Sequence, residues 1–373
     1  MWCARRADGT RAAKPSTLTE PSAGAALAPA GGAVLPVAVD AMGGDRAPAE
    51  IVAGAIEAAN SGLPVILVGD PDLLGDTGGL SVIPARETIE MHEDPGRAVR
   101  TKKDSSLIRA AEAVRDGHAS AMVSAGNTGA TMASALFRMG RIRGVGRPAI
   151  ATPIPVPGFT PTVLLDAGAN AECSAAWLVQ FAQMGSAFAK QRFGIASPRV
   201  GLLSIGEEPG KGSPLVKETF ALLEAGEAGS DVRFIGNVEG RDVMSDAVDV
   251  VVTDGFTGNV VLKTLEGSMK FAFKAVLAAL PPSEPSEGPG TATATLLAAL
   301  MPLAAELDPE TYGGAMLLGV DGVCIISHGS SSARAIVNAV GVAHHAVTEG
   351  LVDQLREAIG VPSRVPSRSR QLL

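Results

Sequence analysis

Aromatic side chains are scarce: the 373 residues include 10 Phe, 2 Trp and 1 Tyr. A sizeable core must therefore be built from Ala, Val, Leu and Ile, and the shortage of rings argues against stacking platforms for single-stranded nucleic acid. Cysteine is rarer still. Cys3, Cys173 and Cys324 stand far apart with no CxxC pair, which argues against a thiolate metal centre or redox couple and fits a reducing cytoplasm. The five histidines make no HExxH or His/Cys cluster, so no metal site is expected. No apolar run approaches the roughly 20 residues of a spanning helix; the stretch Leu296 to Ala305 is interrupted by Pro302. The first 33 residues lack the apolar stretch of a signal peptide and read as a disordered extension. Positive charge is in deficit, 31 Lys+Arg against 39 Asp+Glu, so no nucleic-acid partner is expected.

What is present is a rhythm. From about Val34, short continuous apolar runs alternate with helical patterns, as in VLPVAVD, PVILVGD, SAMVSAG, TVLLDAG, RVGLLSIG and VDVVVTDG. Unbroken runs mean strands buried on both faces, and the alternation means a mostly parallel sheet between helical layers. The expected fold is a three-layer α/β/α sandwich, a single catalytic domain over residues 34–360. Helical patterns are read at Ser106 to Asp116, Thr128 to Met139, Ser174 to Arg192, Pro214 to Glu227, Asn259 to Leu280 and Ser332 to Ile359. A Pro/Gly/Ser linker after Leu280 separates two apolar helices, so residues 267–307 read as a projecting helix pair, and 361–373 as a basic tail.

Open parallel sheets bind ligands outside the carboxyl ends of their strands. Here those ends share a composition: VDAMGGD, SAGNTGA, DAGAN, SIGEEPGKG, GNVEGRD, TDGFTGN and SHGSSS. Each supplies glycine, which lets backbone N–H groups approach a ligand, and small polar donors ahead of a helix N-terminus, where an anion is favoured. Several of these loops are expected to line one anion-binding cleft. No GxGxxG, Walker A or GxSxG signature accompanies them, so neither a dinucleotide cofactor nor a serine nucleophile is supported, and no cofactor is expected.

Together VAVDAMGGDRAP, RTKKDSS, SAGNTGA, LLDAGAN, GLLSIGEE, FIGNVEGRD, VVTDGFTGNVVLKTLEG and HGSSS, in order from Val34 to Ile359, resemble the bacterial phosphate acyltransferases of phospholipid synthesis. The resemblance implies a fold similar to isopropylmalate dehydrogenase and phosphotransacetylase. It also implies transfer of a fatty acyl group from acyl carrier protein to inorganic phosphate. Such an enzyme must hold a dianion at near-attack distance and stabilise a tetrahedral oxyanion. The leaving thiolate, whose conjugate acid has a pKa of about 8.5, needs little acid assistance.

On this reading Lys211 pairs with phosphate or oxyanion, unless it is a solvated loop lysine beside Glu207 and Glu208. Asn259 donates its amide to phosphate or carbonyl, unless it merely caps a helix; the resemblance favours catalysis by both. His328 either serves the intermediate or the departing thiolate, or bonds only within its loop. Asp40 and Asp254 orient donors rather than act as bases, because a further anion would oppose phosphate. Gly43, Gly44, Asn127, Thr128 and Gly258 are assigned to substrate contact, and Cys173 and Cys324 to core packing. Two basic runs stand out, Arg97 to Arg109 and Arg138 to Arg147; Arg100, Lys102, Lys103, Arg141 and Arg143 are candidates to dock an acidic acyl carrier protein. The apolar helix pair exceeds what a hairpin buries alone. A homodimer is expected at its base and, as the resemblance implies, peripheral contact with a membrane surface at its tip, placing the protein in the cytoplasm against the membrane. A short-chain phosphotransacetylase, a dehydrogenase of the same fold and a non-catalytic membrane scaffold are the competing readings.

Overall fold

The computed structural model describes residues 35–279 and 292–361. The N-terminal extension, most of the linker after Leu280 and the basic tail from residue 362 lie outside the described residues. The first part of the chain gives β1 (Val37–Asp40), α1 (Ala49–Asn60), β2 (Val65–Gly69), β3 (Val82–Pro84), α2 (Pro95–Thr101), α3 (Ser106–Arg115), β4 (Ala121–Ser124) and α4 (Thr128–Arg138). The middle gives β5 (Ala149–Ile154), β6 (Thr162–Leu165), α5 (Ala175–Phe193), β7 (Arg199–Leu203), α6 (Pro214–Glu224), β8 (Arg233–Val238) and β9 (Val250–Val252). The last part gives α7 (Gly255–Ala279), α8 (Ala292–Leu307), β10 (Ala315–Leu318), β11 (Val323–Ile326), α9 (Ala333–Thr348) and α10 (Leu351–Ala358).

Local chemistry sets many of the boundaries. Ser174, Ser213 and Ser332 each accept a hydrogen bond from a first-turn amide of α5, α6 and α9, satisfying donors that a helix start leaves open. The apolar pattern from Ser332 to Ile359 is two helices rather than the expected one, because Gly350 takes φ +68° and turns the chain between α9 and α10. Likewise α7 starts at Gly255, four residues before the expected Asn259.

All strands of the described residues join one 11-stranded sheet in the order β3-β2-β1-β4-β11-β10-β5-β6-β9-β7-β8. One face is covered by α1, α5, α6, α9 and α10, whose apolar side chains pack with Val37, Val39, Val163, Leu165 and Val250. Residues of α2, α3, α4 and α7 pack on the other, with Ala38, Met122, Ile150, Leu164 and Val251. The three-layer α/β/α sandwich is therefore present. Its sheet is mixed, however: β10 pairs antiparallel with both β11 and β5, and β5 pairs antiparallel with β6.

These reversals place the site. Because β5 and β6 run in opposite senses, the half-sheet β6-β9-β7-β8 points against the half-sheet β3-β2-β1-β4-β11. One cross-sheet row runs Val39, Val123, Ile325, Met316, Ala151, Leu165, Val252 and Leu202. Leu165 and Val252 end their strands at that row, while β1, β4 and β11 end one residue past it from the other side. The carboxyl ends of both half-sheets thus meet near the middle of the molecule, and not along one edge as a uniformly parallel sheet would place them.

On α7 the buried residues are Gly255 and Gly258 alone. Large apolar side chains lie open on α7 and α8, among them Phe271, 74% exposed, and Met301, 60% exposed. Among the described residues no single helix is long and apolar enough to cross a membrane.

Candidate active site

Helices α4 and α7 pack on the same face of the sheet, and each begins where its half-sheet ends. They run away from the shared row in opposite directions, so a gap opens between their N-termini and the sheet forms its floor. The gap is a cleft of about 370 Å³. Ile150, Thr152, Ala315 and Ile326 lie on the floor, Thr128 on the α4 side, and Asn259, Leu262, Lys263, Glu266 and Lys270 along α7. The turn Pro309–Tyr312 and the loop Ser327–Ser331 complete the wall.

The structure brings Thr128, Asn259 and His328 to this cleft. Four of the seven glycine-rich loops contribute to it, through Thr128, Ala167, Asn259 and Ser327. Lys211 is not among the lining residues; it stands exposed on the loop after β7, where its main-chain N–H donates to the Glu208 carbonyl at 3.0 Å. That loop follows the strand paired with β9, from which α7 springs. Asn127 is turned inward. Its Oδ1 accepts from the Ala130 N–H at 3.0 Å, and its amide nitrogen donates to the carbonyls of Met91 and Glu93 at 2.9 and 3.2 Å. The Asn127 side chain thus fastens the start of α4 to the segment before α2.

Asp40, Gly43 and Gly44 form a layer under the cleft-facing loops. Ser124 Oγ donates to Asp40 Oδ2 at 2.7 Å and itself accepts from the Gly126 N–H at 3.0 Å. Complete burial pushes the Asp40 carboxyl above the usual carboxylate range, against the pull of those hydrogen bonds. A Cβ on Gly43 would stand 2.4 Å from Asp40 Oδ2 and 2.9 Å from the Gly126 nitrogen, so glycine is needed for this approach. Gly44, at φ +116°, lies close to the carbonyls of Ala125 and Gly329.

Asn259 is seated by a residue that the sequence reading left unassigned, Asp166 at the head of DAGAN. Its Oδ1 accepts from the amides of Ile150, Gly168 and Ala169 at 3.0, 3.1 and 2.8 Å. Its Oδ2 accepts from the main-chain and side-chain nitrogens of Asn170, both at 2.8 Å. The loop so gathered presents Gly168 to Asn259, whose Oδ1 lies 3.5 Å from where a Gly168 Cβ would stand. Asp254 holds the start of α7, accepting from the Thr257 amide and hydroxyl, each at 2.8 Å. The capping role open to Asn259 is thereby taken, and Asn259 sits one turn inside the helix with no hydrogen bond on its side chain among the described residues.

His328 has one ring nitrogen committed. Nδ1 accepts from the Ser330 N–H at 3.2 Å and lies 2.8 Å from its hydroxyl. A backbone amide can only donate, so in the neutral ring Nε2 carries the proton. Opposite, the acidic wall groups are engaged in place: Asp308 pairs with Arg334, Glu310 accepts from the Ser332 amide and hydroxyl, and Glu266 pairs with Lys263 at 2.9 Å. Lys270 has no ionic partner among the described residues. The Tyr312 hydroxyl donates to the Glu306 carbonyl at 3.0 Å, and burial pushes its pKa up to about 12.

The basic runs divide on inspection. Lys102 is spent internally, donating to the Thr88 carbonyl and pairing with Glu93, and Arg141 donates to the Gly146 carbonyl. Arg100, Lys103, Arg141 and Arg143 stand exposed. A second, more open hollow of about 590 Å³ lies at the start of α5, where the Arg147 guanidinium sits 5.2 Å from the centre of the Trp177 ring.

A family model described as "Fatty acid synthesis protein" matches residues 35–354. A phosphate acyltransferase from Pelotomaculum thermopropionicum is 49% identical over 334 residues, covering 87% of this chain and 94% of that one. Another, from Thermobifida fusca, is 46% identical over 341 residues, covering 89% and 93%. Among solved structures, a phosphotransacetylase from Streptococcus pyogenes superposes with a TM-score of 0.58 at 17% identity, covering 85% and 94% of the two chains. A 4-hydroxythreonine-4-phosphate dehydrogenase from Klebsiella pneumoniae gives 0.50 at 14% identity, covering 84% and 99%. These two structural likenesses concern the fold.

Proposed function

The chain belongs to the phosphate acyltransferase family, and from that premise we propose that its acyl donor is a long-chain acyl carrier protein and that the cleft between α4 and α7 is where phosphate meets the thioester. The enzyme is an acyltransferase that passes an acyl group to phosphate in phospholipid synthesis. The observation that supports the site is the convergence of Thr128, Asn259 and His328 where two helix N-termini face each other.

In this reading a phosphate oxygen attacks the thioester carbonyl, the C–S bond breaks, and the products are acyl phosphate and the carrier thiol. The positive ends of α4 and α7 favour the dianion. The unengaged amide of Asn259 donates to the oxyanion of the tetrahedral intermediate. His328 donates its Nε2–H as a hydrogen bond to the carbonyl oxygen or to the departing sulfur, and the carrier thiolate takes its proton from solvent. Lys211 approaches from the neighbouring loop to neutralise phosphate or oxyanion charge, which requires its side chain to reach past the lining residues. Thr128 contributes its main-chain N–H at the start of α4. Asp40, Asp254, Gly43, Gly44 and Gly258 shape the loops that hold these groups, and Asn127 fixes α4.

Arg100, Lys103, Arg141 and Arg143 are the exposed cations proposed to steer the acidic carrier. The apolar surfaces of α7 and α8 support a homodimer at the base of these helices and lipid contact farther out, at the cytoplasmic face of the membrane. Purified protein supplied with long-chain acyl carrier protein and inorganic phosphate should release free carrier thiol and acyl phosphate. It should release no thiol from acetyl-coenzyme A. Turnover of acetyl-coenzyme A alone would favour a short-chain phosphotransacetylase, and no turnover of either would favour a scaffold.

A further inference from the structure

Two hydroxyls in the cleft have no hydrogen-bond partner among the described residues. Ser327 Oγ and Thr152 Oγ1 are buried atoms without an acceptor or donor among the described residues, and both residues line the gap between α4 and α7. Ser327 is 5% exposed. Other orphaned side chains occur, such as those of Ser105, Ser134 and Ser204, but those residues are not part of this lining. A buried hydroxyl left unpaired carries a desolvation cost of about 1–3 kcal/mol, and a native fold retains such groups chiefly where something else satisfies them.

The backbone fixes both hydroxyls in place. Ser327 extends β11 by one rung, its N–H donating to the Ser124 carbonyl at 2.8 Å. Thr152 is held within β5 between β10 and β6. A Cβ on the intervening Gly314, which has φ +85°, would stand 3.1 Å from Ser327 Oγ, so glycine leaves that hydroxyl its room. The charge balance of the cleft says what they meet. Glu266, Asp308 and Glu310 are each engaged by a cation or by donors, whereas Lys270 is unpaired among the described residues and Thr128, the first residue of α4, borders the gap. Lys263, Arg334 and Lys270 together match the three carboxylates, so no unbalanced negative charge stands against an anion, and the spare hydroxyls can donate.

We propose that Ser327 and Thr152 are phosphate-binding residues, donating their hydroxyls to the inorganic phosphate that the acyltransferase uses. The assignment rests on the proposal that this cleft is the reaction site, and names the floor groups that hold its anionic substrate. Neither hydroxyl takes part in the covalent step.

The test uses Ser327→Ala, the near-isosteric Thr152→Val, and Thr152→Ser, which restores a hydroxyl. Thermal unfolding of the full chain is followed with and without inorganic phosphate, and KM is measured for phosphate and for acyl donor. Phosphate should raise the Tm of the wild type. Without phosphate, Ser327→Ala and Thr152→Val should unfold no lower than wild type, because each removes a hydroxyl that has no partner in the fold. Both should lose most of the phosphate-dependent rise and show a KM for phosphate about tenfold higher or more, with KM for the acyl donor unchanged; Thr152→Ser should behave like wild type. Phosphate stabilisation that is absent in the wild type, or undiminished in the variants, overturns the assignment, as does a rise confined to the acyl-donor KM. Should the variants lose phosphate stabilisation while the wild type fails to use acyl carrier protein, the donor assignment falls and the phosphate site stands.

Discussion

A Cβ on Gly258 would stand 1.9 Å from the main-chain oxygen of Asp166. The first turn of α7 therefore lies in bare contact with the loop that leaves β6, and glycine alone permits it. The next residue is Asn259, so the same contact fixes how far that amide projects into the cleft.

Gly258→Ala should force the two segments apart, destabilising the protein by about 1–3 kcal/mol and lowering turnover at least tenfold by displacing Asn259. Thermal melts and steady-state rates check both. A variant with wild-type Tm and kcat would show that the loop yields freely.

Asn259→Ala and Lys211→Ala should each reduce kcat by roughly a hundredfold with the fold intact, as for the loss of a donor to developing negative charge. Asn259 is already at the cleft, whereas Lys211 must reach it. An unchanged rate in Lys211→Ala would restrict the machinery to the groups around α4 and α7.

Both described thiols should be inert. Burial pushes Cys173 up to about 11 and Cys324 up to about 12, so near pH 7.5 the reactive thiolate is a negligible fraction of either. Incubation of native protein with iodoacetamide, followed by peptide mapping, should find no label at Cys173 or Cys324. Cys173→Ala should retain turnover, and loss of activity with an intact fold would point instead to an acyl-enzyme.

The carrier-docking surface reduces to the exposed cations. Arg100→Glu with Lys103→Glu should raise KM for acyl carrier protein without moving KM for phosphate. The wild-type reaction should weaken as salt rises, because surface attraction is screened beyond about 8 Å at physiological ionic strength. Salt-independent kinetics would rule the patch out.

Leu296, 44% exposed on α8, and Leu300 test the outer helix surface. Leu296→Glu with Leu300→Glu should abolish flotation with anionic lipid vesicles while gel filtration still reports a dimer. A monomeric variant, with no vesicle binding by the wild type, would assign the surface to subunit contact alone.

The layered fold was legible because continuous apolar strands such as AMVS and TVLL alternate with helices opened by Ser or Thr. The reversal at the centre was not. β5 contains Pro153, a residue that argues against an interior strand, and β3 has only three residues. Without β5 no pattern showed that the two half-sheets oppose each other. Asn259, Thr128 and His328 could be singled out because they follow strand ends. Thr152 and Ser327 could not, since what distinguishes them is the lack of a partner, and partners exist only in three dimensions. Asp166 was visible as part of DAGAN, yet its grip on Ile150, sixteen residues earlier, depends on β5 and β6 lying side by side.

The placement of β10 and β11 has a bearing on synthesis. These two strands, drawn from residues 315–326, fill the middle of the sheet between β4 and β5. A nascent chain that has emerged only as far as α8 carries two half-sheets whose inner edges are bare, and bare edges invite pairing with other chains. The floor of the cleft is therefore completed late on the ribosome, and a chain stalled before Ala315 is both inactive and adhesive. Pairing β11 with β4 brings together Val323 and Ala121, a long-range contact of the kind that slows folding.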